Sequence, residues 1–292
     1  MATATIELAS TKPRREGRLR RIVRRHPTIL IGGAILLVMV FCAVFAPYLG
    51  TVDPQAVSPA RRMRWPQEAW WFGTDMMGRD VWSRTLYGAR ISLVVGLGAA
   101  LLATLGGLLL GLVTGFIRWV DALLMRVMDG LMSIPGVLLA IALMALTQAS
   151  LQNVIIAIAI VELPRVTRLV RGIVLSLREQ PFVEAATAAG TGVARTLFKH
   201  ILPNTVAPLL VQGTYVCASA MITEAILSFI GAGTPPNIPS WGNIMSEARS
   251  IFQVGWYIVL FPAVFLSLTV LAVNLLGDGL RDMLDPRLSR RM

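Results

Sequence analysis

Long stretches without a charged residue recur along this sequence, and they constrain its fold more than any other feature. Every residue between Arg90 and Arg118 is uncharged, and so is the chain from Gly130 to Val161. A helix that crosses about 30 Å of hydrocarbon needs about 20 apolar residues. Across the chain 55% of residues are hydrophobic and 15% are charged, which is too apolar for the surface of a soluble domain. We therefore expect a lipid bilayer as the solvent.

Six transmembrane helices are predicted from these stretches, so the predicted fold class is an all-α membrane protein. The first covers 28–50, after a basic segment at 1–27, and a loop at 51–89 follows it. The uncharged stretch that begins at Gly130 is too long for one helix, and the polar residues "TQASLQN" divide it. A core at 90–277 thus holds five helices, at about 90–117, 127–146, 151–170, 206–231 and 256–277, and a tail covers 278–292.

The orientation follows from where Lys and Arg collect, because short cytoplasmic segments carry an excess of both. If the N-terminus is inside, the cytoplasmic segments hold 20 basic residues and the outer segments hold six. Both termini are therefore predicted to be cytoplasmic, and the loop at 51–89 extracytoplasmic. The net charge of +11 comes with no nucleic-acid-reading motif. We expect the basic N-terminal segment to bind anionic membrane lipid, and we expect no nucleic-acid partner.

Enzymatic motifs are missing from the sequence. Its lysines, Lys12 and Lys199, do not follow a glycine, so the chain has no P-loop for ATP. It also lacks the G-x-S-x-G motif of serine hydrolases. Cys42 and Cys217 lie inside apolar runs, and neither a disulfide nor a metal site is expected from them. We predict that the chain is not an enzyme, has no catalytic residue and binds no cofactor.

Four residues are candidates for a translocation pathway or a gate, namely Asp129, Met132, Pro135 and Glu224. Pro135 removes a backbone hydrogen bond from the third predicted helix, which predicts either a packing kink or a hinge. Glu224 is the only ionisable residue that we place well inside a predicted span. It is interpreted either as a hydrogen-bonding group toward the outer interface or as a carboxylate that contacts substrate or gates the path.

Small residues recur every four positions in the second predicted helix. They are Ala99, Ala103, Gly107, Gly111 and Gly115. Such a stripe lets another helix approach closely in lipid, where packing substitutes for the hydrophobic effect. We expect that helix to belong to the same chain, and a partner subunit is the alternative.

The segment "EAATAAGTGVARTLFKHILPN" at 184–204 departs from the apolar pattern. Pro181 suits the first turn of a helix, and Gly190 can supply the positive φ that ends it. A second short helix, "VARTLFKH", follows, and we expect Pro203 to break it before the fifth span. The residues alone predict a helix–turn–helix along the cytoplasmic face, and an ordinary amphipathic connector is the alternative.

This segment resembles the signature loop of the membrane subunits of bacterial ABC importers. The resemblance is carried by Glu184, Ala185, Ala186, Gly190, Leu202 and Pro203. Three longer strings resemble the C-type permease of dipeptide and oligopeptide importers: "WFGTDMMGRDVWSRTLYGARISL", "LSFIGAGTPPNIPSWGNIM" and "NLLGDGLRDMLDPR". The resemblance therefore extends over nearly the whole chain.

The resemblance implies a type I ABC importer permease fold in the bacterial inner membrane, with a coupling helix in the loop at 180–204. Such a permease forms half of the translocation pathway for peptides or related small solutes, beside a second homologous permease. Two ATPase subunits, which bind ATP and Mg²⁺, and an extracytoplasmic substrate-binding protein are the other expected partners. The alternative function is an ion-coupled secondary carrier or channel that works without ATPases.

Overall fold

A computed structural model describes residues 27–284. The predicted basic segment, apart from its last residue, and the end of the predicted tail, 285–292, lie outside the described residues. Within 27–284 the regular elements are helices, and β-structure is limited to two isolated bridges. The all-α class predicted from the sequence is confirmed for this range.

Ten α-helices form the described part of the chain. They are α1 (Pro27–Phe45), α2 (Val81–Phe116), α3 (Arg118–Met132), α4 (Gly136–Ala145), α5 (Leu151–Arg178), α6 (Pro181–Ala188), α7 (Val193–Thr196), α8 (Leu202–Ile230), α9 (Trp241–Glu247) and α10 (Trp256–Leu284). Short 3₁₀ turns occur at Ala46–Tyr48, Pro59–Arg61 and Arg249–Ile251, and a π-helical turn at Leu197–Ile201 joins α7 to α8.

Four helical stretches of the described chain are long and apolar enough to cross a membrane. They are Pro27–Tyr48, Val81–Phe116, Val193–Ile230 and Trp256–Leu284, and the bent pair α3 and α4 makes a fifth if it counts as one span. The predicted span at 151–170 lies in α5, which carries Glu162, Arg165 and Arg168 and is not among these stretches. Apolar helices thus account for four or five of the six predicted spans.

The second predicted span begins earlier than expected, at Val81 rather than at residue 90. Asp80 caps the helix, because its side chain accepts a hydrogen bond from the Ser83 N–H at 2.9 Å. Arg84 in the first turns is 1% exposed and forms ion pairs. The prediction began the helix at Arg90, the charged residue next to the apolar stretch, whereas the helix also includes Arg84, whose charge is balanced by buried ion pairs.

The helix predicted at 127–146 is divided into two, and the interruption lies at Pro135, where a kink or a hinge was predicted. α3 ends at Met132, α4 begins at Gly136, and their axes differ by 93°. Pro135 lies in the break, where its ring disfavours the helical conformation of the preceding residue. The hydroxyl of Ser133 donates to the Gly130 carbonyl at 2.7 Å and occupies one carbonyl at the end of α3. The break is therefore much sharper than a packing kink.

Pro203 does not end a helix, contrary to the prediction. Val193–Ile230 is one continuous helical stretch of 38 residues. Inside it, Leu197–Ile201 forms a π-helical turn, and the Leu202 N–H donates to the Leu197 carbonyl. A proline has no N–H and its ring collides with the carbonyl four residues earlier. The wider π turn accommodates the proline without interrupting the helix.

The small-residue stripe of α2 packs against α5 of the same chain, as expected. A β-carbon added to Gly107, Gly111 or Gly115 would lie 2.5 or 2.6 Å from a valine Cβ of α5. The three valines are Val166, Val170 and Val174, respectively. The stripe therefore holds the two helices at a distance that excludes side chains from the glycine positions.

The remaining helices surround this pair. α8 packs against α2 and α5, α10 packs against α8, and α1 packs along α10 at the edge of the bundle. α9 is short but wedged among α2, α8 and α10, and its Trp241 is fully buried. The bundle leaves the α3–α4 break on one flank and the α6–α7 segment at one end.

Candidate functional site

The segment with the importer signature forms two short helices joined by a tight turn. α6 begins with Pro181 in its first turn and carries Glu184, which is acidic and lies close to the helix N-terminus. A negative charge there interacts favourably with the helix dipole. Glu184 and Ala185 are exposed, and Ala186 is half-buried.

Gly190 ends α6 with the hydrogen bonds of a Schellman motif. Its φ is +80°, and a β-carbon there would meet no atom within 4 Å. The Gly190 N–H donates to the Thr187 carbonyl, and the Thr191 N–H donates to the Ala186 carbonyl, both at 3.0 Å. The left-handed conformation, rather than a lack of space, therefore makes glycine the suitable residue.

The two short helices have an anchored side and an open side. Val183, Thr196 and Ile201 are buried against the bundle. On the open side the large apolar side chains of Phe182, Val193 and Phe198 are exposed. We call the open side the α6–α7 surface; it consists of these three residues with Glu184 and Ala185. Exposed apolar side chains in one patch are typical of a protein–protein contact.

The α6–α7 surface is connected to the bundle on both sides. Arg178, at the end of α5, donates from Nη1 to the Gly115 carbonyl of α2 at 2.9 Å. The same guanidinium lies over the Phe116 ring, 5.0 Å from its centroid. A cavity of about 510 Å³ opens here, lined by Arg178, Glu184 and Thr196 among others.

On its other side, the α6–α7 surface continues into α8 without a helix end. Leu202 is half-buried and Pro203 is exposed at this junction.

Asp129, a predicted pathway residue, lies on the outside of the bundle. Its carboxylate accepts a hydrogen bond from the Arg168 guanidinium at 2.7 Å, and the two side chains are 61% and 49% exposed. Three residues further along α5, Arg171 pairs with Asp121, and one of the two contacts measures 2.7 Å. These two pairs fasten α3 to α5.

Met132 and Pro135 lie at the break between α3 and α4. Met132 lines a cavity of about 260 Å³ on that flank, together with Gly136 and Val161. A β-carbon on Gly136 would lie 3.0 Å from Cγ1 of Val161. The sharp turn thus brings α4 back against α5.

Glu224 is fully buried in a cluster of hydroxyl groups. The Ser228 hydroxyl donates to its Oε1 at 2.8 Å, and the Ser92 hydroxyl of α2 donates to its Oε2 at 3.4 Å. Thr234 and Ser240 extend the cluster at 3.1 and 3.2 Å. The position supports the hydrogen-bonding interpretation of Glu224, because its contacts join α8 to α2 and to the loop before α9.

The sequence analysis missed Glu162, a buried carboxylate of α5. It is 5% exposed and lines the same 260 Å³ cavity as Met132. The Arg165 guanidinium lies 3.0 Å from its Oε2, and the Ser219 hydroxyl of α8 donates to its Oε1 at 2.8 Å. The signal was present in the sequence, since "VELPR" follows directly on the uncharged stretch that begins at Gly130.

A buried ionic cluster lies at the opposite end of the bundle from the α6–α7 surface. Arg84 of α2 donates to Asp75 at 2.7 Å and to Glu247 of α9 at 2.6 and 3.0 Å. Arg79 also pairs with both carboxylates, at 2.7 Å to Asp75. The cluster ties the loop before α2 to α2 and α9.

Comparison with known proteins identifies the chain. The model of the binding-protein-dependent transport system inner membrane component family matches residues 103–290, and that model includes the α6–α7 segment. The chain belongs to this family. The model of the N-terminal transmembrane domain of oligopeptide transport permease C also matches, over residues 17–66. The resemblance to ABC importer permeases is therefore confirmed.

Curated relatives cover the permease over almost its full length. A probable peptide ABC transporter permease of Sinorhizobium fredii is 53% identical over 93% of both chains. A dipeptide transport system permease of Alkalihalophilus pseudofirmus is 42% identical over 91% of this chain and 88% of that protein. A glutathione transport system permease of Pectobacterium atrosepticum is 41% identical over 92% and 90%, respectively.

Family membership fixes the class of the protein. The permease is a multi-pass inner-membrane transport subunit of an ABC importer and not an enzyme. Its family works with ATPase subunits and with a substrate-binding protein. The alternative of an ion-coupled carrier that acts without ATPases does not agree with this membership.

Proposed function

We propose that the permease forms half of the translocation pathway of an importer for peptides or related small solutes. The support for this cargo is the set of relatives described above, whose names refer to peptides, dipeptides and glutathione. We further propose that a second homologous permease forms the other half. The permease needs no catalytic residue, because the energy for transport comes from ATP, which two separate ATPase subunits bind with Mg²⁺.

The proposed topology has six spans, with α5 as the fourth and the bent pair α3 and α4 as the third. α5 has 28 residues, so at about 1.5 Å per residue it is long enough to cross the bilayer. Glu162 faces inward in an ion pair, and Arg168 and Arg171 lie toward the end with the α6–α7 surface. That basic end suits the cytoplasmic side, which agrees with cytoplasmic termini.

The α6–α7 surface is proposed as the coupling contact with the ATPase subunits. The observation that carries this proposal is the unbroken helix from Val193 to Ile230. A displacement imposed on Val193 or Phe198 is transmitted into the membrane along a continuous helical backbone, because no helix end separates these residues from α8. Glu184, Ala185 and Ala186 supply a small, acidic face that a groove in the partner can approach closely.

The experiment is a pull-down of the detergent-solubilised permease from its native membrane, with partners identified by mass spectrometry. Three forms are compared: the wild type, Glu184→Lys in the α6–α7 surface and Glu68→Lys in the outer loop. Both variants reverse the charge of an exposed glutamate, so they differ in location rather than in chemistry.

The wild type and Glu68→Lys are expected to recover a second permease and ATPase subunits. Glu184→Lys is expected to retain the second permease and lose the ATPases. Recovery of the wild-type permease alone would contradict the importer assembly, and full ATPase recovery with Glu184→Lys would contradict the coupling role of the surface.

A further inference from the structure

The cavity at the α3–α4 break contains a buried carboxylate that the coupling proposal does not use. Glu162 of α5 contributes this carboxylate, while Met132 and Gly136 line the cavity from α3 and from the start of α4. Ser219 and Thr223 line it from α8. Residues from four helices therefore line the cavity that contains Glu162. An ionisable residue inside a membrane bundle is costly and is typical of a substrate or ion pathway.

The depth of this carboxylate follows from helix geometry. Glu162 lies about 17 Å along α5 from Leu151, and Ser219 lies about 17 Å along α8 from Ile230, at about 1.5 Å per residue. The Ser219 hydroxyl donates to Glu162 at 2.8 Å, so the distances along the two helices place both residues at the same depth. In a hydrocarbon core of about 30 Å this depth is near the middle of the membrane, provided that α5 is the fourth span as proposed above.

Arg165 presents the opposite charge at the rim of the cavity. It pairs with Glu162 at 3.0 Å and lies over the Tyr215 ring, 5.4 Å from its centroid. Its side chain is 48% exposed, whereas that of Glu162 is 6% exposed. The cavity wall therefore carries a deep negative group and an accessible positive group, each held by a second contact.

We propose that Glu162 and Arg165 form a mid-membrane subsite for the charged groups of the cargo in transit. Glu162 attracts ammonium and guanidinium groups of a passing peptide, and Arg165 attracts carboxylates. The subsite favours neither sign while both charges are present, so it admits peptides of either charge. This inference rests on the proposed function, because it takes peptides as the cargo.

Glu162 and Arg165 have opposite effects on the preference for cationic or anionic cargo, and the test measures these effects. Removal of the carboxylate by Glu162→Gln leaves Arg165 dominant and disfavours cationic cargo. Removal of the guanidinium by Arg165→Gln leaves Glu162 dominant and disfavours anionic cargo. A purely structural ion pair would behave differently, since loss of either partner would slow the passage of every peptide by the same factor.

The test measures uptake of Ala-Lys-Ala and Ala-Glu-Ala by the complete importer in proteoliposomes, with loaded binding protein at saturation so that its selectivity does not enter. The measured quantity is the ratio of the lysine-peptide rate to the glutamate-peptide rate. Relative to the wild type, Glu162→Gln is expected to lower this ratio about tenfold and Arg165→Gln to raise it about tenfold, because a unit charge acts strongly at close range in a low-dielectric site.

Asp121→Asn is the matched control, because it breaks another ion pair of α5, the one with Arg171, away from the cavity. Its uptake ratio is expected to equal that of the wild type. Equal effects of Glu162→Gln and Arg165→Gln on both peptides would overturn the subsite. If the wild-type assembly hydrolyses ATP but imports neither peptide, the proposed cargo itself is wrong and the subsite falls with it.

Discussion

Gly111 of α2 and Val170 of α5 pack so closely that a β-carbon on the glycine would lie 2.5 Å from the valine Cβ. Gly107 and Gly115 make equivalent contacts one helical turn away on either side. The contact lies between the α3–α4 break and the α6–α7 surface, since α5 lines the cavity at the break with Val161 and ends at Arg178, shortly before α6 begins. Close packing of α2 on α5 therefore sets the position of the α6–α7 surface relative to the cavity.

Gly111→Ala is expected to destabilise the permease by about 1–3 kcal/mol, the usual cost of forcing extra atoms into a packed core. The control is Gly130→Ala on α3, where an added β-carbon meets no atom within 4 Å. That change should be neutral or stabilising, because alanine favours helix over glycine. Thermal unfolding of the detergent-solubilised variants, followed by tryptophan fluorescence, measures both effects. Equal midpoints for the two variants would show that α2 and α5 are further apart.

Gly190→Val should abolish uptake while leaving membrane insertion intact. Valine strongly disfavours the left-handed conformation that Gly190 adopts, so the end of α6 and the position of Glu184 would change. Gly192→Val is the matched control, because Gly192 is equally unobstructed but has a φ of −67°. Uptake by intact cells, with immunoblotting of the membrane fraction, distinguishes the outcomes. Normal uptake by Gly190→Val would contradict the role of the turn.

The coupling segment could be located from its sequence because its determinants are local. Pro181 fits a first helical turn and Gly190 fits a helix end whatever the rest of the chain does. The resemblance of this segment to the importer signature then predicted the ATPase subunits as its partners. The π turn before Pro203 was not predictable in the same way, since sequence rules treat a proline as a helix terminator and do not show how a neighbouring turn can widen.

Charges gave the least reliable guide to the spans. The prediction began the second helix at Arg90 and placed Glu224 as the only ionisable residue well inside a span, because charged residues are rare inside a membrane span. Arg84 and Glu162 are buried in ion pairs whose partners are distant along the chain or on a neighbouring turn. Such pairing depends on tertiary structure, so a count of uncharged residues cannot reveal it.

Glu224→Gln should retain both stability and ATP-dependent uptake. The amide oxygen of glutamine can still accept the hydrogen bond that Ser228 donates at 2.8 Å, and no proton transfer is required of this residue. Glu224→Leu should unfold at lower temperature, because the buried Ser228 and Ser92 hydroxyls would lose their acceptor. Measurement of unfolding midpoints and of uptake in the same preparations tests the pair. Loss of uptake by a stable Glu224→Gln protein would instead indicate a role in transport.

Arg84→Met should destabilise the end of the bundle opposite the α6–α7 surface by about 3–5 kcal/mol, since it leaves two carboxylates near a buried site with one partner fewer. Arg84 is 1% exposed and donates to Asp75 and Glu247, whereas Arg62 is exposed and donates to the Met76 carbonyl. Arg62→Met is therefore the control and should change the unfolding free energy by less than about 1 kcal/mol.

A double-mutant cycle with Glu247→Gln separates the ion pair from the loss of packing. If Arg84 and Glu247 stabilise the fold through their direct contacts at 2.6 and 3.0 Å, the double variant should be less destabilised than the sum of the single variants. Additive effects would mean that Arg84 stabilises the fold through Asp75 or through packing and not through Glu247. Because the cluster joins α2 to α9 and to the loop before α2, protease cleavage of that loop should increase in parallel with the loss of stability.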